Sequence, residues 1–118
     1  MNSVRKGSAT ELKCKKILEK QGYIVEKTQR ARYKKNQDFF GMADILALKK
    51  DSKVRFIQVK TNNTSGALLK LKEFAKTYIN FDKVSVELWV WHDRKGFKVY
   101  TLKELDGEYE WDYEMYVK

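Results

Sequence analysis

Gly41 to Thr61, GMADILALKKDSKVRFIQVKT, is the stretch whose reading decides the fold. Two β-rich runs, Ala43–Leu48 and Val54–Thr61, flank the polar segment Lys49-Lys50-Asp51-Ser52-Lys53, which predicts a strand, a turn and an antiparallel strand. A hairpin lays the start of its first strand beside the end of its second, so Asp44 is expected to meet Gln58 and Lys60. Gln58 and Lys60 are two apart and share one face of the strand, while Val59 points to the other. A carboxylate, an amide oxygen and an ammonium on one sheet surface have the donor chemistry of a metal-assisted site.

The 118 residues are enough for one core, so residues 1–118 are read as a single domain. The formal charge of +9 points to a polyanionic partner, most often nucleic acid. That charge is unevenly spread. Residues 1–37 hold eleven Lys or Arg against three acids, whereas residues 103–118 hold two against six. A lone Cys14 excludes an internal disulfide and a Cys-rich zinc site, and a lone His92 excludes a His-based metal cluster within one chain. No apolar run is long enough to span a bilayer and no signal-peptide core opens the chain, so an intracellular, cytoplasmic setting is expected, with no membrane partner.

Upstream of the hairpin, Ser8-Ala9-Thr10-Glu11 fits a capping box and predicts a helix from Ser8 to about Gln21, stopped by Gly22. Cys14, Ile17 and Leu18 make its apolar stripe, and Glu11 lies at the edge of that stripe, where it can point toward the sheet. Tyr23–Lys27 is a short strand. The segment Thr28 to Phe40 has neither helical nor strand period and carries Arg30, Arg32, Lys34 and Lys35 among Tyr33, Phe39 and Phe40. Its basic groups suit phosphates and its aromatics suit bases, although a solvated loop anchored by the Phe pair has the same composition.

Downstream, Thr64 or Ser65 is a candidate cap for a second helix over Gly66–Ile79, with Leu68, Leu71, Phe74, Ala75 and Tyr78 as its apolar face. Val84–Trp91 is apolar on both faces, as a central or covered strand is. A turn at His92–Gly96 leads to a strand Phe97–Thr101. Glu108–Val117 alternates aromatic and acidic residues, a strand that either closes the sheet or pairs with another subunit. The expected order is αβββαββ plus a C-terminal strand, an α/β fold with a central sheet flanked by helices.

Hydrolysing a phosphodiester at neutral pH calls for a nucleophilic water and neutralisation of developing charge, both of which a carboxylate-bound divalent cation provides. Asp44 is the candidate direct ligand, with the Gln58 side-chain carbonyl and the Val59 backbone carbonyl as further oxygens. Glu11 is placed to bind through water. Lys60 is suited to orient or deprotonate the attacking water, or to steady charge on the phosphate.

Arg5-Lys6-Gly7-Ser8 leading into a helix with Glu11, followed by Asp44 and then Gln58-Val59-Lys60, resembles the PD-(D/E)XK nuclease superfamily. Within it, the opening and the length are most similar to archaeal-type Holliday junction resolvases, over about residues 4–80. The resemblance implies a restriction-endonuclease-like fold with a mixed sheet, Mg²⁺ with Mn²⁺ as substitute, and no small-molecule cofactor. It also implies a homodimer that nicks four-way DNA junctions in recombination and repair. A hydroxyl residue just after the first strand belongs to that group's pattern, and Thr28 is nearest. Arg5, Lys6 and Ser8 join Arg30, Arg32, Lys34 and Lys35 as expected DNA contacts. Two positions depart from the pattern. Ala43 replaces a Pro that shapes backbone only, and Gln58 replaces an acid, which weakens metal binding by one charge. A homing or nicking endonuclease, and a DNA-binding module with a decayed site, remain as alternatives.

Overall fold

The computed structural model describes residues 3–28, 38–64 and 66–117, with only the backbone of residues 3–8. Its elements run α1 (Ser3–Lys20), β1 (Ile24–Lys27), β2 (Ile45–Leu48), β3 (Val54–Thr61), α2 (Ala67–Tyr78), β4 (Val84–His92), β5 (Gly96–Leu105) and β6 (Glu108–Val117). All six strands form one sheet in the order β1-β2-β3-β4-β5-β6. Neighbours are antiparallel except β3 and β4, which run parallel because α2 carries the chain back between them. The result is a mixed sheet with one helix on each face.

Strand alternation divides the core in two. Cys14 and Leu18 of α1 pack with Val25, Ile45, Ala47, Ile57 and Trp89, and Val59 and Trp91 join them. On the other face, Ala67, Leu71 and Ala75 of α2 pack with Phe56, Val86, Leu88 and Val90. The doubly apolar β4 thus lies inside the sheet with a helix on either side. No helix among the described residues is long and apolar enough to cross a membrane.

The ends of both helices differ in part from the sequence expectation. Helix α1 begins at Ser3, so Ser8 is an interior residue and not an N-cap. A serine or glycine inside a helix costs at most about 1 kcal/mol against alanine, which the packing of a long helix overrides. At its other end Gly22, with φ 94°, donates to the Glu19 carbonyl and Tyr23 donates to that of Leu18, the paired bonds of a Schellman stop. Helix α2 has no side-chain cap: Gly66, in the left-handed region at φ 75°, is its N-cap, and the Ala67 amide bonds to the Thr64 carbonyl. Ser65 lies outside the described residues. Tyr78, expected on the apolar face, is exposed, with its ring 5.1 Å from that of Phe74.

Strand β5 continues past Thr101 to Leu105, because Asp106 and Gly107, both at positive φ, turn it directly into β6. Within this chain β6 forms an edge of the sheet, and Trp111 donates its indole N–H to the Leu68 carbonyl at 3.2 Å.

Candidate active site

The first three strands converge on Asp44. The Thr28 amide donates to the Asp44 carbonyl at 2.9 Å, and the Asp44 amide donates to the Ile57 carbonyl at 2.9 Å. Ile45 is the register partner of Ile57, so two residues of one strand oppose one of the other, as in a β-bulge. The bulge breaks the alternation. Ala43 packs in the α2-side cluster while Ile45 packs in the α1-side cluster, although strict alternation would give them a common face.

Beyond the bulge, the Val59 N–H donates to Oδ2 of Asp44 at 2.8 Å. In a continuous ladder that amide would bond to a strand carbonyl. The carboxylate takes that place and so lies near the plane of the sheet, between its two faces.

Each face contributes a group. From the α1 side comes Glu11, 1% exposed, with Oε1 3.4 Å from the Lys27 ammonium. Its neighbour Thr10 shares a hydroxyl–hydroxyl hydrogen bond of 3.0 Å with Thr61. This bond ties α1 to the end of β3 and fixes how Glu11 approaches. Gln58 and Lys60 alternate with Ile57 and Val59, so they belong to the α2-side face, and both are half-buried. Thr28 is buried, and its Oγ1 has no hydrogen-bond partner among the described residues.

Of the expected site residues, Glu11, Thr28, Asp44, Gln58, Val59 and Lys60 therefore cluster around one end of the β1–β2–β3 sheet. Arg30, Arg32, Lys34 and Lys35 lie outside the described residues, as do the side chains of Arg5, Lys6 and Ser8. Two partners were not singled out from sequence. Lys27 pairs with Glu11, and Asp38 adds to the rise in the Asp44 pKa. A signal for Asp38 was present, since Asp38 and Asp44 stand symmetrically about Gly41, a turn-forming residue.

The electrostatics suit a cation. Burial pushes the Asp44 carboxyl up to about 8; Asp38 and the negative charge of Glu11 add to the rise, and the Val59 amide opposes it. A hard divalent ion takes oxygen donors of the kind gathered here. Among the described residues no three His, Cys, Asp or Glu side chains form a metal-binding group. The candidate donors accordingly include the Gln58 amide oxygen and the Val59 carbonyl.

No family model matches the chain, and no curated protein matches it in sequence. Among solved structures, the chain is similar to Hjc, a Holliday junction resolvase from the archaeal hyperthermophile Archaeoglobus fulgidus. The TM-score is 0.56 over 88% of this chain and 81% of that one, at 17% sequence identity. At that identity the likeness is one of fold: an α/β architecture with a mixed sheet, shared along most of both chains.

Proposed function

We propose that the protein is a metal-dependent, structure-selective DNA endonuclease that hydrolyses phosphodiester bonds at four-way junctions. The observation that carries this reading is the Asp44 carboxylate, buried at the break between β2 and β3 and flanked by Glu11, Gln58 and Lys60. The fold shared with an archaeal Holliday junction resolvase supports it, as does the excess of positive charge in residues 1–37.

In this reading Asp44 is the direct ligand of Mg²⁺ or Mn²⁺, with the Gln58 and Val59 oxygens beside it and Glu11 acting through water. A divalent ion held by these residues would supply neutralisation of charge on the phosphate and a more acidic water. Lys60 orients that water and steadies the phosphate. The Thr28 hydroxyl offers a further hydrogen bond at the same end of the sheet. Arg5, Lys6, Ser8, Arg30, Arg32, Lys34 and Lys35 hold the DNA backbone, and a homodimer presents two such sites to the two strands to be nicked.

Incubating the full chain with a synthetic four-way junction and Mg²⁺, beside linear and flapped duplexes, tests the proposal. Paired nicks confined to the junction are expected, and Asp44→Ala or Lys60→Ala abolishes them. Cleavage of the linear or flapped DNA alone would sink the junction assignment. The neutral Gln58 favours one competing reading, a DNA-binding module without catalysis; junction binding indifferent to Mg²⁺, with no cleavage, would establish it.

A further inference from the structure

The aromatic face of β6 has no part in the site described above. Along that strand Glu108, Glu110, Asp112 and Glu114 alternate with Tyr109, Trp111 and Tyr113. Glu114 is in register with Val99, which packs on the α1 side, whereas Tyr113 is in register with Tyr100, which packs on the α2 side. The strand thus turns its acids to one face of the sheet and its rings to the other. The rings share their face with Gln58 and Lys60.

Strand register carries that face directly from the site to β6. Lys60 is in register with Val90, and Val90 with Lys98. In the next row Gln58 is in register with Leu88, Leu88 with Tyr100, and Tyr100 with Tyr113. Residues in register point to the same side, so Lys60 and Lys98 flank the buried Val90 on the α2-side face. Two strand spacings, roughly 10 Å, separate their backbones. On a duplex that distance covers about three phosphates of one strand.

The ammonium of Lys98 is placed by rings and not by an acid. The β5–β6 register shifts between Phe97 and Val99, so no residue of β6 stands directly across from Lys98. Its Nζ lies 4.2 Å from the centre of the Tyr113 ring and 4.9 Å from that of Tyr100. Neutral rings hold a cation in place without cancelling its charge, and no carboxylate among the described residues is within ion-pair distance of it. Lys76, on the same face, is the contrast. It also lies over a tyrosine, Tyr109 at 5.5 Å, but Glu73 is 4.0 Å from its ammonium. Tyr113 is 62% exposed, so the lysine clasp opens to solvent.

We propose that Lys98, seated over the rings of Tyr100 and Tyr113, binds a backbone phosphate of the DNA and extends its path from Asp44 and Lys60 across the sheet to β5 and β6. The inference rests on the nuclease reading above and adds to it the direction in which the DNA leaves the site. Such a contact fixes the register of the DNA on the protein without reading its sequence. The acids on the other face of β6 repel DNA there and confine the path to the aromatic face.

Binding of a fluorescently labelled four-way junction to the full chain in chelator, followed by anisotropy between about 50 and 200 mM salt, tests this without any need for cleavage. Lys98→Gln keeps the stem over the rings and removes the charge. It is expected to weaken binding about fivefold near 0.15 M salt and to lower the slope of log affinity against log salt by about 0.9. Lys98→Arg is expected to keep both the affinity and the slope. Lys103→Gln, at an exposed position on the opposite face in register with Glu110, is expected to change neither. A native slope in Lys98→Gln would overturn the proposal, whether or not affinity falls. An equal drop in Lys103→Gln would overturn it too, because net charge alone would then explain the effect. Both outcomes leave the nuclease reading standing, since the native chain still binds the junction. A native chain that binds no DNA would overturn that reading and the proposal together.

Discussion

The Asp44 carboxylate stands in for a strand carbonyl, accepting the Val59 N–H at 2.8 Å where the β2–β3 ladder is interrupted by a bulge. It is therefore a structural acceptor as well as the candidate ligand, and the two roles are separable. Asp44→Asn retains an oxygen for the Val59 amide but loses the charge. Without divalent cation at pH 8, the variant is expected to melt above the native chain, by roughly 4–8 °C for each kcal/mol of burial penalty relieved. Junction cleavage in Mg²⁺ should fall by about 100-fold or more if the ion is essential. Thermal melts and single-turnover cleavage of one preparation measure both, and a lower melting temperature would show that the charge itself stabilises the fold.

Stability should depend on pH through the same group. Its carboxyl is pushed from an ordinary 3.8 up to about 8, by burial first and by its acidic neighbours after that. Below the ordinary value the group is protonated in folded and unfolded chains alike, and the fold carries no penalty. As pH rises toward 8, the unfolded chain ionises while the folded one keeps its proton, so unfolding releases a proton and stability falls across that window. Urea titrations in chelator at pH 5 and pH 8.5 should show a higher midpoint at pH 5, and a smaller difference between the two in Asp44→Asn. Added Mg²⁺ should raise the pH 8.5 midpoint of the native chain and leave that of the variant in place.

Much of the architecture was legible because it rests on local periods. Val84, Val86, Leu88 and Val90 alternate with Trp89 and Trp91, and that pattern alone reports a strand covered on both faces. Gly22 marked the end of α1 for an equally local reason, the left-handed turn that stops a helix. The candidate site was only partly legible. Asp44, Gln58 and Lys60 follow from a hairpin, but the bulge at Asp44 depends on how two strands settle against separate helices, and no period announces it. Lys27 with Glu11, and Arg55 with Glu87, join residues far apart in the chain, so nothing in either neighbourhood signals the pairing. The start of α1 misled because Ser8 has the right flanking pattern for a cap, yet the helix continues through it.

The pairing of Glu87 with Arg55 predicts a large stability effect away from the candidate site. Glu87, 2% exposed on β4, accepts Arg55 Nε at 2.8 Å and Nη2 at 2.6 Å, Ser85 Oγ at 2.7 Å and Trp89 Nε1 at 2.9 Å. Burial alone would lower the Arg55 pKa, but the paired carboxylate outweighs it and holds the guanidinium firmly charged. Glu87→Gln turns one acceptor oxygen into an amide donor facing other donors and leaves the cation without its partner. A loss of about 3 kcal/mol is expected, at the low end for a broken buried pair because Arg55 is partly exposed. Denaturant unfolding measures it, and Trp89 emission should shift as its indole N–H loses its acceptor. Junction cleavage per folded molecule should not change, since Arg55 is about 10 Å along β3 from Gln58.

The last strand divides its aromatic residues between packing and exposure, and substitutions should separate the two. Trp111 is half-buried, donates to the Leu68 carbonyl of α2 and stands edge-on to Tyr100, with ring centroids 6.5 Å apart. Tyr109 lies against Phe81 at 5.7 Å. Further along the strand Tyr113 is 62% exposed, although its ring also meets that of Tyr100, and Met115 is 50% exposed. Trp111→Ala removes the larger packed surface and the bond to α2, so it should cost about 2–3 kcal/mol, somewhat less than a fully buried tryptophan. Met115→Ala should stay within about 0.5 kcal/mol, as exposed positions do. Equal losses in the two variants by urea unfolding would mean that the outer half of β6 is covered in solution, and sedimentation velocity on Met115→Lys would then show whether a second copy of the chain covers it.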